Sequence, residues 1–135
     1  MAYWLLKTEP TVYSWDNLVK DKKTTWDGVG SPAGLMFIRQ MKKGDKAFIY
    51  HTGDEKQIVG IGEVTTNSYP DPKEDDQKYV VFDIKPLKKL KRPVTLAEVK
   101  ANSKYKDFRL TREPRLSVMP VPDDFWDDFF KMSEK

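Results

Sequence analysis

Hydrophobic residues between positions 31 and 43 follow the spacing of an amphipathic helix. Those at i, i+3, i+4 and i+7 are Gly34, Phe37, Ile38 and Met41. Ser31 is a favourable N-cap and Pro32 suits the first helical position, because the hydroxyl accepts an unpaired amide and proline fixes φ near its helical value. Gly44 stands where a left-handed C-terminal cap is expected. The pattern therefore predicts a helix over residues 31–43.

Other apolar segments are short and bounded by proline, glycine or polar residues, which is typical of strands. They cover residues 3–6, 46–51, 57–64, 78–84 and 115–119. The polar stretch 52–56 predicts a hairpin between the second and third of these strands. Gly60 and Gly62 lie on one strand face, and they indicate either a sharp barrel bend or space for a bulky neighbour or a ligand.

Caps and periodicity predict further helices. Ser14 is placed to cap a short helix, and Thr95 with Glu98 forms a capping-box pair. Residues 122–130 carry acids near a helix N-terminus and an aromatic stripe along one face. The whole pattern predicts a single α+β domain over residues 1–135, a small mixed β-barrel of five to six strands flanked by helices.

Composition excludes several kinds of chemistry. The chain has no cysteine and one histidine, so disulfides, thiolate chemistry and Cys/His zinc sites are excluded, and we predict neither a metal nor a cofactor. A net charge of +3, from 24 basic and 21 acidic residues, is too small for a dedicated polyanion binder, so any nucleic-acid surface must be local. No apolar run approaches the roughly 20 residues of a membrane span. We therefore expect a soluble, cytoplasmic monomer without a membrane partner.

The segment that precedes the 31–43 helix has the features of a binding corner. Trp26 and Asp27 are followed by Gly28 and Gly30, which allow the backbone to turn tightly or to approach a ligand closely. The amide-rich helix N-terminus at Ser31 is expected to face this loop. Together they can receive a planar or anionic group.

Two cationic features have alternative interpretations. By strand alternation Lys7 shares a face with Tyr3 and Leu5, so its ammonium either snorkels to solvent or lines a pocket at the rim of the core. Residues 85–92 are rich in lysine and arginine, and they form either a solvated edge with leucines turned inward or a surface that contacts phosphates.

Eight collinear segments resemble the EVE domain family. They are YWLLKTEP at 3–10, YSW at 13–15, WDGV at 26–29, FIRQMKKGD at 37–45, FIYHT at 48–52, VGIGEV at 59–64, YPDP at 69–72 and RLSVMPV at 115–121. The resemblance covers almost the whole chain and implies a PUA-like β-barrel related to YTH domains. It also implies a non-catalytic reader of a modified nucleobase, modified cytosine in DNA above all.

The resemblance also implies a ligand site. Trp26 matches the tryptophan that forms one wall of an aromatic cage in YTH-like pockets, where a flipped base can stack. Lys7 and Thr8 resemble the polar pair at the end of the first strand. The remaining implied ligand-binding residues supply polar atoms or backbone around the pocket, and they are Ser14, Asp27, Gly28, Val29, Ser31, Tyr50, His51 and Thr52.

The chain departs from the usual family segment after WDGV. Where the family has RNYQARN or a close variant, residues 30–36 read GSPAGLM and contain no arginine, amide or tyrosine side chain. Fewer charges near the base predict weak, salt-sensitive binding. The candidates for contact with the nucleic-acid backbone are Arg39, Lys42, Lys43, Lys88, Lys89 and Lys91. The expected partner is DNA or RNA with a modified base, or a free modified nucleoside.

Other function classes stay open at this point. ASCH-type barrels resemble this architecture and some hydrolyse acylated nucleosides with a lysine and a carboxylate, roles that Lys7 and Glu63 fill if their strands are neighbours. A Ser-His-Asp hydrolase built on His51 is disfavoured, because no nucleophile-elbow motif surrounds a serine. An interaction module without a small ligand is the remaining alternative.

Overall fold

Seven strands form one curled, mixed sheet in the computed structural model, which describes residues 1–135. They are β1 (Tyr3–Thr8), β2 (Thr24–Trp26), β3 (Lys46–His51), β4 (Gln57–Val64), β5 (Tyr69–Pro70), β6 (Val80–Thr95) and β7 (Val118–Pro120). Their order is β2-β6-β4-β3-β1-β7, and the two-residue β5 pairs with the start of β6. Because β2 and β7 do not pair with each other, the sheet is a barrel that stays open between these edges.

Helices flank this sheet. They are α1 (Trp15–Asp21), α2 (Pro32–Arg39), α3 (Leu96–Ala101), α4 (Arg109–Arg112) and α5 (Asp123–Ser133). The predicted caps form, with Ser14 on α1, Ser31 on α2 and the Thr95–Glu98 capping box on α3. The PUA-like α+β architecture expected from the sequence is confirmed. None of the helices has the length and apolar character required to cross a bilayer.

A pair of parallel strands next to the β7 edge of the sheet determines where the site lies. β1 and β3 are parallel, with Lys7 opposite Tyr50 and Thr8 opposite His51. Parallel strands need a long crossover, and here it contains α1, β2 and α2. Within that crossover β2 pairs with β6 at the far edge. The crossover therefore brings Trp26 to the opening between the two edges.

Aromatic side chains dominate the core. Trp126 of α5 stacks between Tyr3 and Phe48, with ring centroids 4.3 and 3.8 Å away. On α1, Trp15 lies against Gly60, where a Cβ would approach the indole ring to 2.6 Å. Gly60 therefore makes space for a bulky neighbour, one of its two predicted roles.

Helix α2 ends at Arg39, so the predicted end at residue 43 is wrong. The cause is the buried carboxylate of Asp45, which accepts hydrogen bonds from the Lys42 and Ala2 amides and from the Trp4 indole at 3.0 to 3.1 Å. The Lys42 amide is thereby removed from the helical hydrogen-bond pattern, and the chain turns.

Residues 24–26 belong to the loop expected before the 31–43 helix, but they form a strand because they pair with β6. Residues 85–92 continue β6 and pair with β4 on one side, whereas β2 pairs only with residues 82–84, so this stretch has no strand partner on its other side and its lysines are exposed, which agrees with the predicted solvated edge. Leu90 is buried as predicted, whereas Leu87 is exposed.

Candidate functional site

A cavity of about 840 Å³ opens beside Trp26, where the curled sheet fails to close. One side consists of the end of β1 and the residue before β7, namely Lys7, Thr8 and Ser117. The other side consists of β2, its flanking residues and β6, namely Lys23, Thr24, Thr25, Trp26, Asp27 and Asp83. Loop residues complete the mouth, namely Val12, Tyr13, Gly28, Val29 and Lys73.

Trp26 and Tyr13 form an aromatic corner in this cavity. Their rings are nearly perpendicular, at 87°, with centroids 6.5 Å apart. Trp26 is 8% exposed, so most of its indole packs in the core while the remainder borders the cavity. Its indole N–H makes no hydrogen bond within the protein. Thr65 Oγ1 is the one side-chain polar atom that is both fully buried and unpaired, so the unpaired Trp26 N–H is not fully buried.

Asp83 provides a fixed acceptor on the β6 side. Its Oδ1 accepts hydrogen bonds from the hydroxyls of Thr25 at 2.9 Å and Tyr69 at 2.6 Å. Burial and the neighbouring Asp83 carboxylate raise the pKa of Tyr69, so its hydroxyl remains a donor at neutral pH. Both donors contact the same oxygen, which leaves Oδ2 able to accept from a ligand.

Lys7 is a half-buried cation on the opposite side. Its Nζ donates to the Pro114 carbonyl at 3.0 Å and lies 5.8 Å from the centroid of the Tyr50 ring. Burial lowers the pKa of Lys7, since desolvation disfavours the charged form. Of the two predicted roles, Lys7 has the one in which it lines a pocket.

An ion pair lies across the mouth of the cavity. Lys73 Nζ is 3.1 Å from Asp27 Oδ2, and both side chains are exposed. The carboxylate of Asp27 raises the pKa of Lys73. Gly28 follows with φ of +80°, in the left-handed region that favours glycine, and nothing lies within 4 Å of a Cβ placed there. The backbone at Gly28 is thus open to close approach by a ligand.

Six of the predicted ligand-binding residues line this cavity together, and they are Lys7, Thr8, Trp26, Asp27, Gly28 and Val29. The hydroxyls of Ser14 and Ser31 instead cap helices, and neither residue lines the cavity. Tyr50 and Thr52 line a different cavity, which is described below.

His51 has both ring nitrogens engaged inside the protein. Nε2 accepts a hydrogen bond from the Trp15 amide at 3.0 Å, and Nδ1 lies 2.9 Å from Glu55 Oε1. This contact lowers the pKa of Glu55. His51 is buried, does not line the Trp26 cavity and fixes the start of α1 on the sheet.

Sequence reasoning missed several lining residues. Lys73 and Asp83 are distant from Trp26 along the chain and reach the cavity only through tertiary structure. Tyr13 was detectable, because it belongs to the YSW segment, and Thr24 and Thr25 were detectable as β-branched residues directly before Trp26.

The predicted contacts to a nucleic-acid backbone lie elsewhere on the surface, and none of them lines the cavity. Arg39 donates to the Lys78 carbonyl at 2.8 Å. Lys42 and Lys43 lie in the turn between α2 and β3. Lys88 contacts α5, with Nζ 4.8 Å from the Phe130 ring centroid, and Lys89 and Lys91 are exposed on β6.

The lysine–carboxylate pair considered for hydrolysis does not form. Lys7 on β1 is opposite Tyr50 of β3, whereas Glu63 on β4 is opposite Lys46 of β3. Lys46 and Tyr50 are four residues apart along β3, which corresponds to about 13 Å. Glu63 is instead 3.8 Å from Lys85. The strands that carry Lys7 and Glu63 are separated by β3, so the condition for a hydrolytic pair of these residues is not met. No cluster of three or more His, Asp or Glu side chains is arranged to hold a metal ion.

Known proteins resemble this chain over its full length. Thymocyte nuclear protein 1 of Homo sapiens is 29% identical over 168 aligned positions, which cover 99% of this chain and 75% of that protein. The structure of Rpa0253 from Rhodopseudomonas palustris is 43% identical with a TM-score of 0.94, covering 99% of this chain and 94% of that one. The human THYN1 protein, solved in complex with 5-methylcytosine containing DNA, is 28% identical with a TM-score of 0.90, covering 100% of this chain and 99% of that one.

A more distant likeness is limited to the fold. The ASCH protein from Zymomonas mobilis superimposes with a TM-score of 0.60 at 10% identity, over 97% of this chain and 95% of that one. At this identity the shared architecture says nothing about shared chemistry.

The family model of the EVE domain matches residues 2–132. This match covers the strands that form the open barrel, the crossover that carries Trp26 and the helices that flank the sheet. The eight collinear segments are thus confirmed as signs of kinship, and this chain belongs to the EVE domain family.

Proposed function

We propose that this protein binds DNA that carries a modified cytosine and holds the flipped base in the cavity beside Trp26. The cavity itself supports the proposal most directly, because its open volume of about 840 Å³ is bordered by an aromatic corner and by polar side chains, among them Lys7 and Asp83. The human THYN1 protein of the same fold was solved with 5-methylcytosine containing DNA. For this reason 5-methylcytosine is the first modification to test.

Stacking is the first contribution to binding. A base that leaves the duplex loses its stacked neighbours, and an aromatic side chain replaces them at about 1–3 kcal/mol per base. Trp26 offers a ring face for such stacking, and Tyr13, whose ring is nearly perpendicular to it, can contact the edge of the same base. Their positions are fixed before the ligand arrives, which reduces the entropy lost on binding.

Hydrogen bonds to the base edge are the second contribution. Cytosine presents an amino donor at N4 and acceptors at N3 and O2. Asp83 Oδ2 is a suitable acceptor for the amino group, and the Lys7 ammonium is a suitable donor for N3 or O2. Lys7 and Asp83 lie on opposite sides of the cavity, as a planar ligand between them requires.

The methyl group of 5-methylcytosine needs an apolar contact. Val12 and Val29 line the mouth, and Val12 is 80% exposed, which is high for a valine. A methyl group placed against them is removed from water at a gain of roughly 0.8 kcal/mol. The preference for methylated over unmodified cytosine should therefore be a few-fold.

Charge sets the strength of the interaction with DNA. The lining contains three lysines and two aspartates, so the cavity carries only one excess positive charge. Because phosphate neutralisation dominates affinity for DNA, we expect weak binding that falls steeply with salt.

Fluorescence anisotropy with short duplexes tests the proposal. One duplex carries a single 5-methylcytosine, a second carries cytosine at the same position, and a third carries 5-hydroxymethylcytosine. The proposal predicts measurable binding at low salt, with the methylated duplex bound most tightly. Binding of none of the duplexes contradicts it, and binding only to 5-methyldeoxycytidine or to RNA would assign the cavity to those ligands instead.

A further inference from the structure

A second cavity, of about 310 Å³, lies on the other side of Lys7 from the Trp26 cavity. It is formed where the β3–β4 loop meets α3 and the segment around α4. Lys7, Lys56 and Lys100 converge on it, and no acidic residue lines it. Lys7 lines both cavities, so the two spaces share one cation.

The three lysines have no carboxylate partners. The ten ion pairs of the protein involve none of them. Glu9 lies at the rim, where a Cβ on Gly53 would meet its carboxylate at 2.7 Å, but it accepts hydrogen bonds from Thr11 and Thr52 and forms no ion pair with the three lysines. The cavity is therefore lined by three cations without ion-pair partners, with one carboxylate at its rim.

We propose that this second cavity binds a backbone phosphate of the DNA, next to the nucleotide whose base occupies the Trp26 cavity. The proposal rests on the proposed function, because it assigns the second cavity to the same bound strand. Its geometric basis is Lys7, which borders both spaces, so a base in one cavity and an anion in the other would both lie next to the same side chain.

Phosphate is the anion that this arrangement fits. Lysine ammonium groups act as point charges that surround a phosphate without requiring a planar, bidentate partner. The cluster is set back in a cavity, and low-dielectric walls concentrate its field. It also supplies positive charge that residues 30–36 lack near the base. None of the six cations predicted from the sequence to contact the backbone belongs to this cluster.

Neutralisation of Lys56 and Lys100 tests the phosphate site. The double variant Lys56→Gln/Lys100→Gln is compared with Lys20→Gln/Lys131→Gln, which removes the same charge from exposed positions on α1 and α5. Affinities for methylated and unmodified duplexes are measured over a range of salt concentrations.

We expect the first double variant to bind both duplexes about tenfold more weakly at low salt, by the same factor, with the slope of log affinity against log salt reduced by about 1 to 2. The control should keep the wild-type slope. If wild-type protein binds DNA and the two double variants behave alike, the phosphate site is wrong while the base site stands.

A second measurement separates failure of this proposal from failure of the proposed function. Inorganic phosphate is titrated into the ¹⁵N-labelled wild-type protein and into Lys56→Gln/Lys100→Gln. Saturable shifts of the amides of Gly53 and Thr111 in the wild type alone support the site even if no DNA is bound. Absence of saturable shifts in the wild type overturns it.

Discussion

Tyr13 is fixed edge-on to Trp26 by hydrogen bonds at both of its ends. Its carbonyl accepts from the Thr8 hydroxyl at 2.7 Å, and its own hydroxyl donates to Asp21 of α1 at 2.8 Å. Burial raises the pKa of Tyr13, which keeps this hydroxyl protonated. The aromatic corner is therefore part of the folded scaffold, since β1 and α1 hold it in place without a ligand.

Replacement of Trp26 by leucine should weaken base recognition. Leucine retains apolar volume but removes the ring face, so the methylated duplex should lose roughly 1–3 kcal/mol of binding free energy. Trp26 is 8% exposed, so the variant should also unfold at lower temperature. Anisotropy titration and thermal unfolding measure the two effects.

Trp126→Leu is the matched control. Trp126 is 7% exposed and packs against Tyr3 and Phe48, far from any lining residue of the Trp26 cavity along the sheet. It should be destabilised but should bind the methylated duplex as the wild type does at a temperature where both are folded. Equal loss of binding in both variants would show that Trp26 acts only through stability.

Gly60→Ala should destabilise the protein. The added Cβ would meet the Trp15 indole at 2.6 Å, and both residues are buried. Overpacking of this kind costs about 1–3 kcal/mol. Chemical denaturation measures the change, and Gly30→Ala is its control, since nothing lies within 4 Å of a Cβ at that position. If Gly60→Ala is as stable as Gly30→Ala, the Trp15 indole does not exclude a side chain at position 60.

Glu98→Gln should remove a pH-dependent part of the stability. Arg92 donates two hydrogen bonds of 2.8 Å to the Glu98 carboxylate. These bonds lower the pKa of Glu98 from 4.5 to about 2, although burial alone would raise it. The charged form is thus favoured in the folded state. Its contribution is fully present above pH 4.5 and is lost as the pH falls towards 2.

We therefore expect Glu98→Gln to lower the free energy of unfolding at pH 7 by only about 1 to 2 kcal/mol. The effect is modest because the side chain is a third exposed and solvent screens its charge. The difference from wild type should shrink between pH 4.5 and pH 2. Glu134→Gln, which loses an exposed pair with Lys88, should show little change at any pH. A pH-independent difference for Glu98→Gln would assign the effect to the cap alone.

Local interactions explain what the sequence predicts well. The caps at Ser14, Ser31 and Thr95 formed as expected, because each depends on residues within three positions along the chain. The apolar stripe of α2 was also correct, with Phe37 and Ile38 buried. The position of Trp26 at the border of a cavity agrees with the corner expected from its neighbours in sequence and from the family resemblance.

Tertiary interactions explain what sequence reasoning missed. The end of α2 depends on Asp45, whose carboxylate is bound by amides from the N-terminus and from the turn. Strand β2 exists only because β6 pairs with it, and no periodicity is visible in three residues. Asp83 reaches the cavity beside Trp26 through the same strand pairing, and Lys73 reaches it from a loop that is distant in sequence. None of these contacts has a local signature.

The central claim, that a modified cytosine enters the Trp26 cavity, is tested most directly by locating the base in solution. A duplex with a single ¹³C-methyl-labelled 5-methylcytosine is bound to the protein, and intermolecular nuclear Overhauser effects from the methyl group are recorded. We predict contacts to the side chains of Val12, Tyr13, Trp26 or Val29, and their loss in Trp26→Leu. A bound duplex whose methyl group shows contacts only to other residues, or to none, would contradict the claim.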